Sequence, residues 1–170
     1  MAGFAGPGER RLLLVRHGAA GAPPADGGDR DRPLSPEGWR GVEGLAAHLV
    51  RNALIADHGL CSPARRTRET LEILLEKQDG TAEGEIAEEL YLAPAGTILS
   101  SLRRIPAEAG TVLLVGHNPG LQELVVALAG NDAPPASAGF PPATLAVFAV
   151  ATPWAALGPG ATRLIQFRAP

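Results

Sequence analysis

The sequence predicts an α/β protein, a three-layer α/β/α sandwich around a mostly parallel central sheet. Three observations predict it. Short apolar runs, RLLLV at 11–15 and TVLLV at 111–115, have the length and composition of strands buried on both faces. Longer segments between them repeat apolar residues every three or four positions, as amphipathic helices do. The two kinds of segment alternate through most of the chain, which favours parallel strands covered by helices on both sides. The length of 170 residues, 45% hydrophobic and 19% charged, suits one domain, since domains commonly run ~100–200 residues.

Taken in order, residues 1–10 lack periodicity and are expected to form a flexible N-terminal tail, leaving a single domain over 11–170. The strand at 11–15 comes first. Residues 18–33 are rich in Gly, Pro and Asp and read as a loop. Ser35-Pro36-Glu37 supplies an N-cap followed by proline at the first helical position, and a helix is expected to about Arg51, burying Val42, Leu45, Ala46 and Leu49. A short strand should end near Cys61. Ser62-Pro63 repeats the cap-plus-proline pattern and predicts a helix with Thr67, Thr70, Leu71, Leu74 and Leu75 on one face.

Further on, 85–92 is expected to be a strand, 95–105 a modest helix and 111–115 the second buried strand. A helix over 119–130 should turn Leu121, Leu124, Val125 and Leu128 inward and stop at Gly130. Two final strands, 144–150 and 162–167, follow Pro- and Gly-rich turns and suit an antiparallel edge.

Composition narrows the function. A formal net charge of -3 gives no global field for nucleic acid or an anionic membrane. The apolar run at 12–15 is too short for a secretory signal or a membrane span, so cytoplasmic residence is the default expectation. One cysteine, Cys61, rules out an internal disulfide and argues against a Cys-based zinc site. Cys61 also fails the pattern of a cysteine-dependent phosphatase, because Thr67 rather than arginine stands six positions on. It reads as a small buried residue. Asp26, Asp29 and Asp31 read as a solvated loop, Arg65 and Arg68 as helix surface charges, and Trp39 and Trp154 as packing residues. His48 is expected on a helix surface and His58 in a turn.

The chemistry gathers where two strands end. The first runs into Arg16-His17-Gly18 and the second into Gly116-His117-Asn118-Pro119-Gly120. In open α/β sheets ligands bind beyond the carboxyl ends of the strands. If the strands are neighbours, both imidazoles face one pocket. Arg16 precedes His17, and Arg66 falls on the first turn of the helix after Ser62-Pro63. A helix start offers free N–H groups, and guanidinium forks match phosphate oxygens. Two arginines, two histidines and a helix start make a plausible phosphate cradle.

Arg16-His17-Gly18 resembles the RHG signature of the histidine phosphatase, or phosphoglycerate-mutase-like, superfamily. The stretch from Ser62 to Thr70 resembles its S-P-x-x-R-x-x-x-T helix start, and Gly116 to Leu121 resembles the GHNPGL segment of the SixA-type phosphohistidine phosphatases. Arg32-Pro33-Leu34-Ser35 and Leu90-Tyr91-Leu92-Ala93 are similar to the same subgroup. The resemblance implies a phosphoglycerate-mutase-like fold and a phosphatase in which neutral His17 attacks phosphorus and forms a phosphohistidine that water hydrolyses. It implies a His17 Nε2 nucleophile whose Nδ1–H is held by a backbone carbonyl. It further implies that Arg16, Arg66 and His117, with Gly18, bind the phosphoryl oxygens, and that no metal or cofactor is needed.

One departure bears on substrate. Many relatives place a proton-donating Glu two residues beyond the leucine matching Leu90, where this chain has Leu92. Glu88 and Glu89 are the nearby candidates for that donor. Imidazole protonates near pH ~6.5 and leaves far more easily than an alkoxide. The missing acid therefore favours a phosphohistidine protein as partner and substrate over a small phosphate ester. The short 93–110 connection leaves no room for a long helical cap. The alternatives are a general small-molecule phosphomonoesterase of the same superfamily and, in a different class, a non-catalytic phosphate-binding module. Oligomeric state is not legible.

Overall fold

Six strands, β1 (Arg10–Arg16), β2 (His58–Cys61), β3 (Glu83–Ile86), β4 (Thr111–Gly116), β5 (Leu145–Val150) and β6 (Thr162–Arg168), join into one sheet in the computed structural model, which describes residues 9–78 and 82–170. Their order is β3-β2-β4-β1-β5-β6. The pairs β2–β3, β2–β4 and β1–β4 are parallel, and β5 and β6 add antiparallel strands at one side. Of the expected tail, residues 1–8 lie outside the described residues, and Arg10 already belongs to β1.

Alternation within the buried strands builds a core on each face of the sheet. Leu12, Leu14, Val112, Leu114, Ala146 and Phe148 point to one side, where α3 (Ala95–Leu102) and α4 (Gly120–Ala129) cover them. Leu13, Val15, Leu113, Val115, Leu145 and Val147 point to the other, under α1 (Pro36–Arg51) and α2 (Arg65–Glu76). This is the expected three-layer arrangement. Ser35 caps α1, its Oγ accepting the Gly38 N–H at 3.0 Å. Gly130 ends α4 with φ 55 and ψ -121, a backbone conformation that glycine adopts at little cost.

Several local expectations shift. Ser62 does not cap α2, which begins at Arg65 with Ala64 at the cap position and no side-chain cap bond. The strand expected at 85–92 is β3 at Glu83–Ile86, followed by a 3-10 turn at Glu88–Leu90. β3 is exposed along its whole length, so no buried apolar run marks it. Trp39 is 43% exposed rather than packed, whereas Trp154 is buried and donates its indole N–H to the Ala109 carbonyl at 2.8 Å. His58 opens β2 instead of sitting in a turn. The loop 18–33 contains a 3-10 turn at Asp29–Asp31, and this turn lies at the site.

The topology places the site. The chain leaves β1 into α1 on one face of the sheet and leaves the adjacent β4 toward α4 on the other. Connections that diverge from neighbouring parallel strands open a crevice at their carboxyl ends. Arg16 and Gly116 are register partners there, so His17 and His117 emerge side by side.

Candidate active site

His17 and His117 sit with ring centroids 5.2 Å apart, edge to face. Both are nearly enclosed. They form part of the wall of a cleft of about 410 Å3 that Arg16, Arg32, Arg66, Asn118, Leu92 and Pro142 also line. The Nδ1 of His17 lies 2.7 Å from the Gly18 carbonyl oxygen. A carbonyl only accepts, so Nδ1 carries the proton and Nε2 is left with its lone pair toward the cleft. Arg66 Nε–H approaches that lone pair at 3.4 Å.

His117 has the opposite tautomer. Arg66 Nη2, which only donates, stands 3.5 Å from its Nδ1, while its Nε2 lies 2.7 Å from Ser62 Oγ. Nε2–H therefore donates to the serine. This bond is the job Ser62 does in place of capping α2. Burial pushes the His17 imidazole down to about 4, with Arg66 and Arg16 adding to the effect and the Gly18 bond opposing it. Burial, with His17 and Arg66 nearby, pushes His117 to about 3. Both rings are thus neutral at ordinary pH, and a neutral ring is what a nitrogen nucleophile requires.

Arg66, 3% exposed, spans the floor between the two imidazoles. Its outer edge is held by Asp29. Nη1 donates to the Asp29 carbonyl at 2.6 Å and Nη2 to Oδ2 at 2.9 Å. Tyr91 donates its hydroxyl to the same Oδ2 at 2.6 Å. That bond, then those from Arg66 and Arg32, hold the Asp29 carboxyl down at about 2, so it stays ionised and acts as a fixed acceptor. Tyr91 also stacks edge-on against His117, with centroids 5.6 Å apart. Arg16 donates from Nη1 to the Phe140 carbonyl at 2.8 Å, while its buried Nε has no protein partner. Burial and the neighbouring Arg66 lower the pKa of Arg16.

A model of the histidine phosphatase superfamily, branch 1, matches residues 12–91. The protein assigned as phosphohistidine phosphatase SixA from Nakamurella multipartitia is 32% identical, with a TM-score of 0.80 over 96% of this chain and 97% of that one. This chain belongs to the histidine phosphatase superfamily. It is of the SixA type, and it is a phosphatase. A second structure, assigned as SixA from Agrobacterium tumefaciens, is 30% identical, with a TM-score of 0.82 over 95% of this chain and 98% of that one. Among sequences, an uncharacterized protein of Mycobacterium tuberculosis is 39% identical over 164 residues, 92% of this chain and 99% of the relative. The chain shares the phosphoglycerate-mutase-like fold of the two solved structures.

In this histidine phosphatase the four residues picked from sequence, Arg16, His17, Arg66 and His117, converge on one cleft. The Gly18 N–H donates to Thr70 Oγ1 at 3.1 Å. The Gly18 carbonyl orients His17. A side chain could not be added there, since a Cβ would stand 2.7 Å from Val42 and 2.9 Å from the Gly38 carbonyl. Thr70 in turn donates to the Arg66 carbonyl at 2.7 Å, tying α2 to the loop after β1.

Neither expected proton donor faces the cleft. Glu88 pairs with Arg30, and Glu89 with Arg104 and Ser101. Leu92, at φ 49 and 53% exposed, lines the cleft. Among the described residues no group of three or more His, Cys, Asp or Glu is placed to hold a metal ion, and no helix is long and apolar enough to cross a membrane.

Asp29, Ser62 and Tyr91 were not singled out from sequence as site residues. Ser62 and Tyr91 fall in stretches similar to the family, but Ser62 reads as a helix cap and Asp29 as part of a solvated loop.

Proposed function

We propose that this phosphatase removes phosphoryl groups from phosphohistidine on a protein, through a covalent phosphohistidine on His17. The observation that carries the substrate class is that no carboxyl is placed to give a proton: Leu92 lines the cleft, and Asp29, behind Arg66, is held ionised. A phosphoryl group between the imidazoles would meet His17 Nε2 on one side. Arg66 Nε and Nη2 and the unpartnered Arg16 Nε are available to its equatorial oxygens, where charge accumulates in the transfer. The bond from phosphorus to the leaving nitrogen breaks as the bond to Nε2 forms. The substrate ring takes a proton from solvent on its other nitrogen, as an imidazole does near pH ~6.5, and leaves as neutral imidazole without an acid from the enzyme, whereas an alkoxide needs one. Water then attacks the phosphorylated His17 and releases inorganic phosphate.

His117 is neutral with its Nδ1 lone pair facing the cleft. It takes up a proton when the anion arrives and then donates to a phosphoryl oxygen.

The test compares kcat/KM on a phosphohistidine protein, p-nitrophenyl phosphate and an alkyl phosphate such as phosphoserine. The expected order is phosphohistidine first and alkyl phosphate last, with His17→Ala inactive on all three and normally folded. Fast hydrolysis of the esters with none of the phosphohistidine would leave a small-molecule phosphomonoesterase in its place. Full activity in His17→Ala would remove the nucleophile.

A further inference from the structure

We propose that Asp29 is a positioning residue that fixes the Arg66 guanidinium edge-on between the two imidazoles, so that only Nε and the inner side of Nη2 face the phosphoryl group. This rests on the reading that the cleft receives a phosphoryl group. Arg66 has five N–H bonds to direct, and an arginine with no fixed partner samples many rotamers. Asp29 takes two of them at once, one on its carbonyl at 2.6 Å and one on Oδ2 at 2.9 Å.

The acceptor is itself held. Tyr91 donates to Oδ2 at 2.6 Å, Arg32 Nη1 lies 3.3 Å from Oδ1, and the 3-10 turn at Asp29–Asp31 fixes the backbone carbonyl. The Asp29 carboxyl is held near 2, so the acceptor keeps its charge throughout the working pH range. Of the three N–H bonds left, those on Nε and Nη2 form one edge, which points at His17 Nε2 and His117 Nδ1. Asp29 comes from the loop after β1, Arg66 from α2 and Tyr91 from the turn after β3. The clamp therefore joins three separate stretches of chain at the cleft. A carboxylate this close to an anion site would by itself repel the anion.

The experiment is a double-mutant cycle on tungstate affinity, read by calorimetry in the intact protein. Asp29→Ala is expected to weaken tungstate binding about tenfold in the wild-type background and less than twofold in Arg66→Ala. Asp29→Asn keeps both a side-chain oxygen acceptor and the backbone carbonyl, and should stay within about threefold of wild type. Equal losses in both backgrounds would mean that Asp29 acts independently of Arg66 and would overturn the proposal. Tighter tungstate binding in Asp29→Ala, the result expected of a mere like charge, would overturn it as well. Should Asp29→Ala fail to fold, Asp29→Leu, which keeps the side-chain bulk and has no acceptor, carries the same cycle. Because the readout is anion binding, it stands apart from turnover. Wild-type protein that ignores phosphohistidine yet shows the Asp29–Arg66 coupling would count against the substrate proposal and for the clamp.

Discussion

The Ser62 hydroxyl fixes His117 by accepting its Nε2–H at 2.7 Å, which leaves Nδ1 facing the cleft. Replacing Ser62 with Ala removes the acceptor from a buried ring and lets the imidazole turn or exchange tautomers. A hydrogen bond of this kind is worth about 1 kcal/mol or somewhat more, so kcat/KM should fall roughly tenfold. The nitrogen chemical shifts of His117 should move with it. An unchanged rate with unchanged shifts would mean that another contact orients the ring. Legibility at this scale followed the chemistry of neighbours in sequence. Arg16-His17 and Gly116-His117 could be read because each pair ends an apolar run. Asp29 could not, because its partner Arg66 is 37 positions away and its loop carries no period. Ser62 was hidden by a sufficient local explanation, since Ser-Pro before a helix reads as a cap whether or not the hydroxyl is spent elsewhere.

At the scale of elements, α1 shows how one helix serves both core and site. Its buried stripe of Val42, Leu45, Ala46 and Leu49 was legible from spacing alone. Its close approach to the loop after β1 was not, because that depends on a missing side chain. A Cβ on Gly38 would stand 2.1 Å from the Ala19 carbonyl oxygen, while one on Gly44 would meet nothing within 4 Å. The same substitution in the same helix should therefore have opposite signs. Gly44→Ala is expected to stabilise by about 0.5–1 kcal/mol through helix propensity. Gly38→Ala must push the loop away and should destabilise by roughly 1–3 kcal/mol. Ala19 and Ala20 line the cleft, so Gly38→Ala should weaken tungstate binding too. Urea unfolding of the two variants checks the signs, and two stabilised proteins would show that α1 and the loop have slack. The ends of β3 were illegible for a related reason. Its residues Glu83–Ile86 are all exposed, and the buried Leu90 beyond them belongs to a turn.

At the scale of the whole molecule, setting two imidazoles at the switch point of the sheet costs stability in acid. The topology encloses them, and burial is the first cause of both depressed values, about 4 for His17 and about 3 for His117. In the unfolded chain both rings titrate near ~6.5. Between that value and 4 the unfolded chain binds protons that the folded one refuses, so stability must fall as pH drops through this window. The loss is largest once pH passes below the folded values. At pH ~5 it should reach about 2 kcal/mol per ring, by the linkage between the two states. Asp29, held at about 2, loses its contribution only at lower pH and lies outside the window. The expected result is that urea unfolding of wild type weakens markedly from pH 7.5 to 5, while a His17→Asn, His117→Asn double variant weakens much less. Bound tungstate should restore part of the loss, because an oxyanion between the rings favours their protonated forms. Its affinity should accordingly rise as pH falls toward 5. Equal acid sensitivity in wild type and the double variant would mean that the imidazoles are charged, or solvated, in the folded protein. In that case His17 Nε2 would take up a proton near pH ~6.5, and attack at phosphorus would be confined to higher pH.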